Sequence, residues 1–208
     1  MKAVLFGVIF SLSMVFSNSD MHGVHHENNV KNVNENADIS KRILDSMHGP
    51  MKEFSNSKNI EVDFLQDMIP HHQGAINSAR LYLDHGKNED IRTIAKNIVS
   101  SQEKEIRHFV ELLSKIDRSI SKDYDIFYDK AKHVMNKMMK DMSSVASSGN
   151  VDIDFMRAMI FHHEGAIKSA KNVLTYTKNN DIRGIAENII QTQEQEINKM
   201  KDILKLSM

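Results

Sequence analysis

The sequence predicts an all-α fold, and three observations predict it. Gly and Pro number only 8 and 2 in 208 residues and aromatics make up 6%, so the turn-formers and rings that β architectures use are scarce. Apolar residues recur at steps of three and four over long stretches, the period of a helix with one buried face. The chain also repeats itself. Shifted by 91 residues, 63–113 aligns with 154–204 without a gap, and 26 of the 51 positions are identical. Two copies of a helical hairpin, each unable to bury its apolar face alone, pack face to face as a four-helix bundle.

In chain order, Lys2 precedes an apolar run, Ala3 to Phe16, and then Ser17-Asn18-Ser19-Asp20. A positive start, a short apolar stretch and small residues at its end predict a signal peptide over 1–19, cut after Ser19. The run falls short of the ~20 residues that a membrane span needs. The mature chain is therefore expected to be periplasmic or secreted, with no span. Residues 20–36, DMHGVHHENNVKNVNEN, are polar and lack a period, so a disordered arm is expected there. The arm holds His22, His25 and His26. With Asp20 first, His22 is the third residue, and the amine, two amides and the imidazole form the planar nitrogen set that Cu(II) prefers. A solubilising linker has the same composition.

The remainder, 37–208, is expected to be the bundle, with repeat one at about 38–116 and repeat two at about 124–206. Each repeat starts with an amphipathic stretch, 38–54 or 124–146, acting as cover or crossover. A Ser/Asn/Gly-type link follows. The first hairpin helix then carries Phe64, Met68, His72, Ala75, Ala79 and Leu83 on one face, with Asp63 and Asp154 placed as N-caps. Pro70 stands inside it, where repeat two has Phe161, and predicts a kink beside the histidines. After the short connection at 86–88, Asp90 opens a helix whose stripe is Ile91, Ile94, Ile98, Gln102, Ile106, Phe109 and Leu113. Asp181 opens its counterpart. One all-α domain with approximate twofold symmetry is expected; two separate three-helix units are the alternative.

Charge and ligand chemistry narrow the function. Lys and Arg number 27 against 28 Asp and Glu, a balance that argues against nucleic-acid binding. No Cys is present, which excludes disulfides, thiolate metal sites and thiol nucleophiles. Met at 14 and His at 11 are plentiful, and these are the ligands left to a chain without thiols that holds a soft or borderline metal. His71-His72 and His162-His163 are adjacent pairs whose members point about 100° apart on a helix, one toward the core and one along a groove. Met68 and Met159 lie one turn before them, so a thioether and imidazoles share a surface. Such a set suits copper or silver, whereas a hydrogen-bonded core histidine is the structural alternative. Gln102 and Gln193, with Glu105 and Glu196 beside them, are candidates to orient the imidazoles from the facing helix; packing specificity explains the glutamines equally well. Met135, Met138, Met139 and Met142 make a stripe, and Met47, His48 and Met51 a sparser one in repeat one. A stripe of this kind is either core filling or a thioether Cu(I) or Ag(I) site.

The motif D-F-x-x-x-M-I-x-H-H-x-x-A-I followed by I-x-x-x-Q-E-x-E-I resembles the secreted bacterial family known as domain of unknown function 305. The resemblance spans both repeats and rests on Met68, His71, His72, Met159, His162 and His163. It implies a ferritin-like helical bundle, export, and in some members copper binding and copper resistance. The expected function is therefore copper sequestration, resistance or trafficking without catalysis, with Cu(I), Cu(II) or silver as cargo and a copper transporter or chaperone as partner. A di-iron oxidase is one alternative. It needs Glu-x-x-His from two helices, and Glu105-x-x-His108 supplies this once, while repeat two has Glu196 and Lys199. A metal-free helical interaction module is the other.

Overall fold

The computed structural model describes residues 21–206 except 52, with side chains from residue 35 onward. The expected signal peptide lies outside the described residues, as do the side chains of His22, His25 and His26. Six helices follow in order: α1 (Met21–His48), α2 (Ile60–His85), α3 (Glu89–Leu113), α4 (Tyr124–Ser143), α5 (Val151–Leu174) and α6 (Asn180–Leu206). Among the described residues there is no strand, and no helix is long and apolar enough to cross a membrane.

The all-α expectation holds, and the helices fall into two sets of three. α2 pairs with α3 and α5 with α6, as the short connections require; α2 and α5 then pack on each other, α1 lies across both, and α4 packs mainly on α5. Both apolar clusters draw side chains from both repeats. One joins Ile43, Met47, Ile91 and Ile98 to Phe155, Met159 and Ile197, and the other joins Phe64, Leu65 and Phe109 to Val173, Ile182 and Ile189.

Several local readings are corrected. The helix starts belong to asparagines, not aspartates. Asn59 accepts from the N–H groups of Glu61 and Val62, Asn88 from Asp90 and Ile91, and Asn150 from Asp152 and Ile153. Asn179 does the same for Asp181 and Ile182. The short amide reaches two free donors of the first turn. Asp63 and Asp154 sit one turn further in, at 0% and 5% exposure, and each clamps the link before its helix. Asp63 accepts from Ser57 N–H at 2.9 Å and from the Tyr124 hydroxyl. Asp154 accepts from Ser148 N–H at 2.9 Å and Ser40 Oγ at 2.8 Å. α2 runs through Pro70 unbroken, although the ring leaves one carbonyl without its helical donor.

The backbone from Met21 is helical, where a structureless arm is expected from composition. No proline interrupts 21–48, and once Ile39 and Ile43 are packed, extending the helix toward the N-terminus needs no new nucleus.

Two glycines explain how closely the outer helices approach. A Cβ on Gly74 would lie 2.2 Å from the carbonyl oxygen of Met47, and one on Gly165 would lie 2.3 Å from Met138 Sδ. Met47 and Met138, like Gly74 and Gly165, are 91 residues apart. The crossings of α1 on α2 and of α4 on α5 are thus the same crossing, made twice.

Candidate metal centre

The site forms where α2 and α5 meet. His71 and His162 face each other across this junction, with ring centroids 3.7 Å apart and planes inclined at 34°. His72 and His163 lie outward of them, each with its ring centroid 6.1 Å from that of its neighbour. All four are buried, at 3% exposure or less. One imidazole of each pair was expected along a groove. Both are enclosed instead, because α2 and α5 have neighbours on several sides rather than on one stripe.

The outer histidines have carboxylate partners. His72 Nε2 lies 2.7 Å from Glu105 Oε2 on α3, and His163 Nε2 lies 2.8 Å from Glu196 Oε2 on α6. Each glutamate fixes its ring's orientation, and with a protonated Nε2 the Nδ1 atom is left as the basic nitrogen. Those Nδ1 atoms are buried without partners. The inner pair is barer still, since neither ring nitrogen of His71 or His162 makes a well-formed hydrogen bond. Burial, reinforced by the neighbouring histidines, holds both well below the usual imidazole range, so they are neutral; the His162 backbone pulls His71 slightly the other way. His48, half-buried on α1, is lowered by burial too, and its Nε2 has no partner. A buried polar atom without a partner carries a cost, and here six such atoms belong to the four paired histidines. Neutral imidazoles with free lone pairs are metal ligands in waiting.

The other sequence candidates divide. Met68 and Met159 are buried at 3% and 0% exposure, in different apolar clusters. Met47, Met51, Met138 and Met142 are buried in the core, and Met135 and Met139 are half-buried against it. At Met138 the unbranched thioether lies directly over Gly165, where an added Cβ would stand 2.3 Å from Sδ, the kind of close gap that Met fills. Gln102 and Gln193 are buried at 2% exposure each, but their Oε1 atoms have no partner. The orienting role falls to Glu105 and Glu196 alone. The Glu-x-x-His reading of Glu105 and His108 does not assemble: the carboxylate of Glu105 is engaged by His72 and Asn188, while His108 is exposed on the cleft between α3 and α6 that Glu105 also lines.

Among the described residues, no three His, Asp or Glu side chains converge as a ready-made metal cluster. A metal here would need thioethers beside imidazoles, which is the donor set the sequence provides. The orphaned nitrogens and the adjacent methionines fit a soft or borderline ion.

One contributor escapes the motif reading. Asp67, on α2, accepts from Ser55 N–H at 2.9 Å, and burial pushes its carboxyl up to about 7, with the charge of Asp63 adding to the rise. A comparison of the repeats would have flagged it, since Ala158 stands at the matching position.

A family model described as Domain of unknown function (DUF305) matches residues 61–204. No curated protein matches. Among solved structures, CopM in the Cu(II)-bound form is 26% identical with a TM-score of 0.56, the match covering 71% of this chain and 97% of that one. CopM in the Ag-bound form is 27% identical at a TM-score of 0.53, covering 74% and 97%. The Cu(I)-bound form gives 27% and 0.53, covering 70% and 95%.

Proposed function

This chain belongs to the DUF305 family, and from that premise we propose that it is an exported copper-binding protein that sequesters the ion or passes it on. The observation that carries the reading is the core of four buried histidines whose inner pair has no hydrogen-bond partner on any ring nitrogen. Such nitrogens are left bare in a stable core at a cost that a bound cation offsets. His71, His72, His162 and His163 would supply imidazoles, and Met68 and Met159 the thioethers, with the stripes on α1 and α4 close at hand. The likeness to CopM, solved with Cu(I), Cu(II) and silver, supports the choice of ion. Copper is cargo in this reading, held by ligands that an oxidising compartment cannot turn into disulfides. The amino-terminal run supports export, and the histidines near residue 20 would add a separate Cu(II) site, whose planar set of backbone amides requires the first residues to leave the helix.

Metal analysis of the secreted protein tests the proposal. Cells grown with added copper should yield a chain that retains copper through gel filtration and whose first residue is Asp20. Protein carrying iron, or no metal under the same growth, would refute the copper assignment; a chain still beginning at Met1 would refute export.

A further inference from the structure

The two repeats do not line equivalent places with the same residues. A cavity of about 20 Å³ lies between α2, α4 and α5, walled by Phe64 and Phe127, with Ser169 of α5 at its edge, and lined by Asp67, Met68, His71 and Met135. That is room for one water-sized sphere. A carboxylate, an imidazole and two thioethers therefore surround a space of ionic size. At the 91-residue offset Asp67 becomes Ala158 and Met135 becomes Leu44. The corresponding hollow, between α5 and α1, is larger, about 220 Å³, and Leu44 and Ala158 line it. Neither Met159 nor His162 reaches it, and its acid, Asp154, already accepts hydrogen bonds from Ser40, Ser147 and Ser148.

Asp67 lacks any such set of partners. Ser55 is the residue that hydrogen-bonds to it, and the charge acting on it is the like charge of Asp63. His71, which shares the cavity, is 3% exposed with both ring nitrogens unpartnered. A carboxylate without a counter-charge beside an imidazole without a donor is an arrangement that a cation completes. Thioethers alone favour a soft ion, whereas a carboxylate oxygen adds affinity for a harder one.

We propose that this cavity is a metal site without a counterpart at the equivalent junction of α5 with α1, in which Asp67 joins Met68, His71 and Met135 as a ligand and gives the site its hold on Cu(II) as well as on soft monovalent ions. The proposal rests on the copper reading above and assigns it a residue that separates the two repeats.

The repeats themselves supply the variants. D67A copies Ala158 and M135L copies Leu44. The full chain and each variant are titrated with Cu(II), and with Ag(I) as a redox-inert soft ion, while circular dichroism follows the fold. D67A should weaken one Cu(II) equivalent by at least about tenfold, shift the parallel g value of its paramagnetic resonance spectrum, and leave Ag(I) binding in place. M135L should do the reverse, weakening Ag(I) more than Cu(II). D67N, which keeps an oxygen acceptor for Ser55, is read in the same way if D67A loses helicity. Unchanged Cu(II) binding and spectrum in a folded variant, or equal weakening of both ions, overturns the assignment. A wild-type chain that takes up neither ion overturns the copper reading itself, and this site with it.

Discussion

His71 and His162 are kept neutral by burial and by each other, which ties stability to pH. Their usual value is 6.5, and the folded protein holds both well below it. Below pH 6.5 the unfolded chain therefore binds protons that the folded chain refuses, and stability falls as the pH drops. Each such proton is worth about 1.4 kcal/mol per pH unit. His48 on α1 adds to the loss. Asp67 works in the opposite sense. Its folded value is raised to about 7, so it contributes stability at low pH that is lost as the pH rises toward 7. Denaturant unfolding of the metal-free chain should accordingly show stability declining from pH 6.5 to pH 5, and the decline should steepen in Asp67→Asn, which removes the opposing group. Stability that stays flat or rises toward pH 5 would mean that the inner histidines accept protons in the fold. At this scale the sequence was a partial guide. Helical spacing marked His72 as inward, and Glu105 and Glu196 could be named because they sit at the same place in both copies. The contact of His71 with His162 could not be read, because it joins residues 91 apart across two helices. Gln102 and Gln193 misled for a simple reason: a buried amide signals a missing partner without saying which residue it is.

Among the helices, the crossing of the outer on the inner pair decides how the bundle closes. At Gly74 the obstacle to a side chain is backbone, the Met47 carbonyl; at Gly165 it is the flexible end of Met138. These two otherwise equivalent glycines should thus respond differently. Gly74→Ala must push α1 away and should cost about 2 kcal/mol or more. Gly165→Ala can be met by a rotamer change of Met138, so it should cost clearly less, because alanine also favours a helix over glycine by up to ~1 kcal/mol. Thermal or denaturant unfolding of the two single variants checks the order, and equal losses would show that the two crossings are equally rigid. Helices α2 to α6 were legible from periodicity and from the repeat. Their first residues were not, since Asn59 and Asn150 compete with nearby aspartates that have the same capping chemistry. The amino-terminal part of α1 was illegible because composition describes what a segment can bury, and this segment continues a helix already anchored at Ile39 and Ile43.

Across the whole molecule, duplication places two histidine pairs at one junction and then lets the copies diverge around it. The shared parts are the Asn caps, the aspartate clamps, the glycine crossings and the His–Glu pairs; among the differences, Asp67, Met135 and His48 lie close to the histidines. That pattern was half visible in the sequence. The alignment of the repeats displayed what the copies share, but the importance of a difference appears only when a cavity gives it neighbours. Binding of soft metal by the inner histidines is tested by a Cu(I) competition titration of the full chain against the double variant His71→Gln, His162→Gln, with circular dichroism recorded on both. Helicity should be preserved and Cu(I) affinity lowered by at least about tenfold. Unchanged affinity in a folded double variant would leave the histidines as core packing.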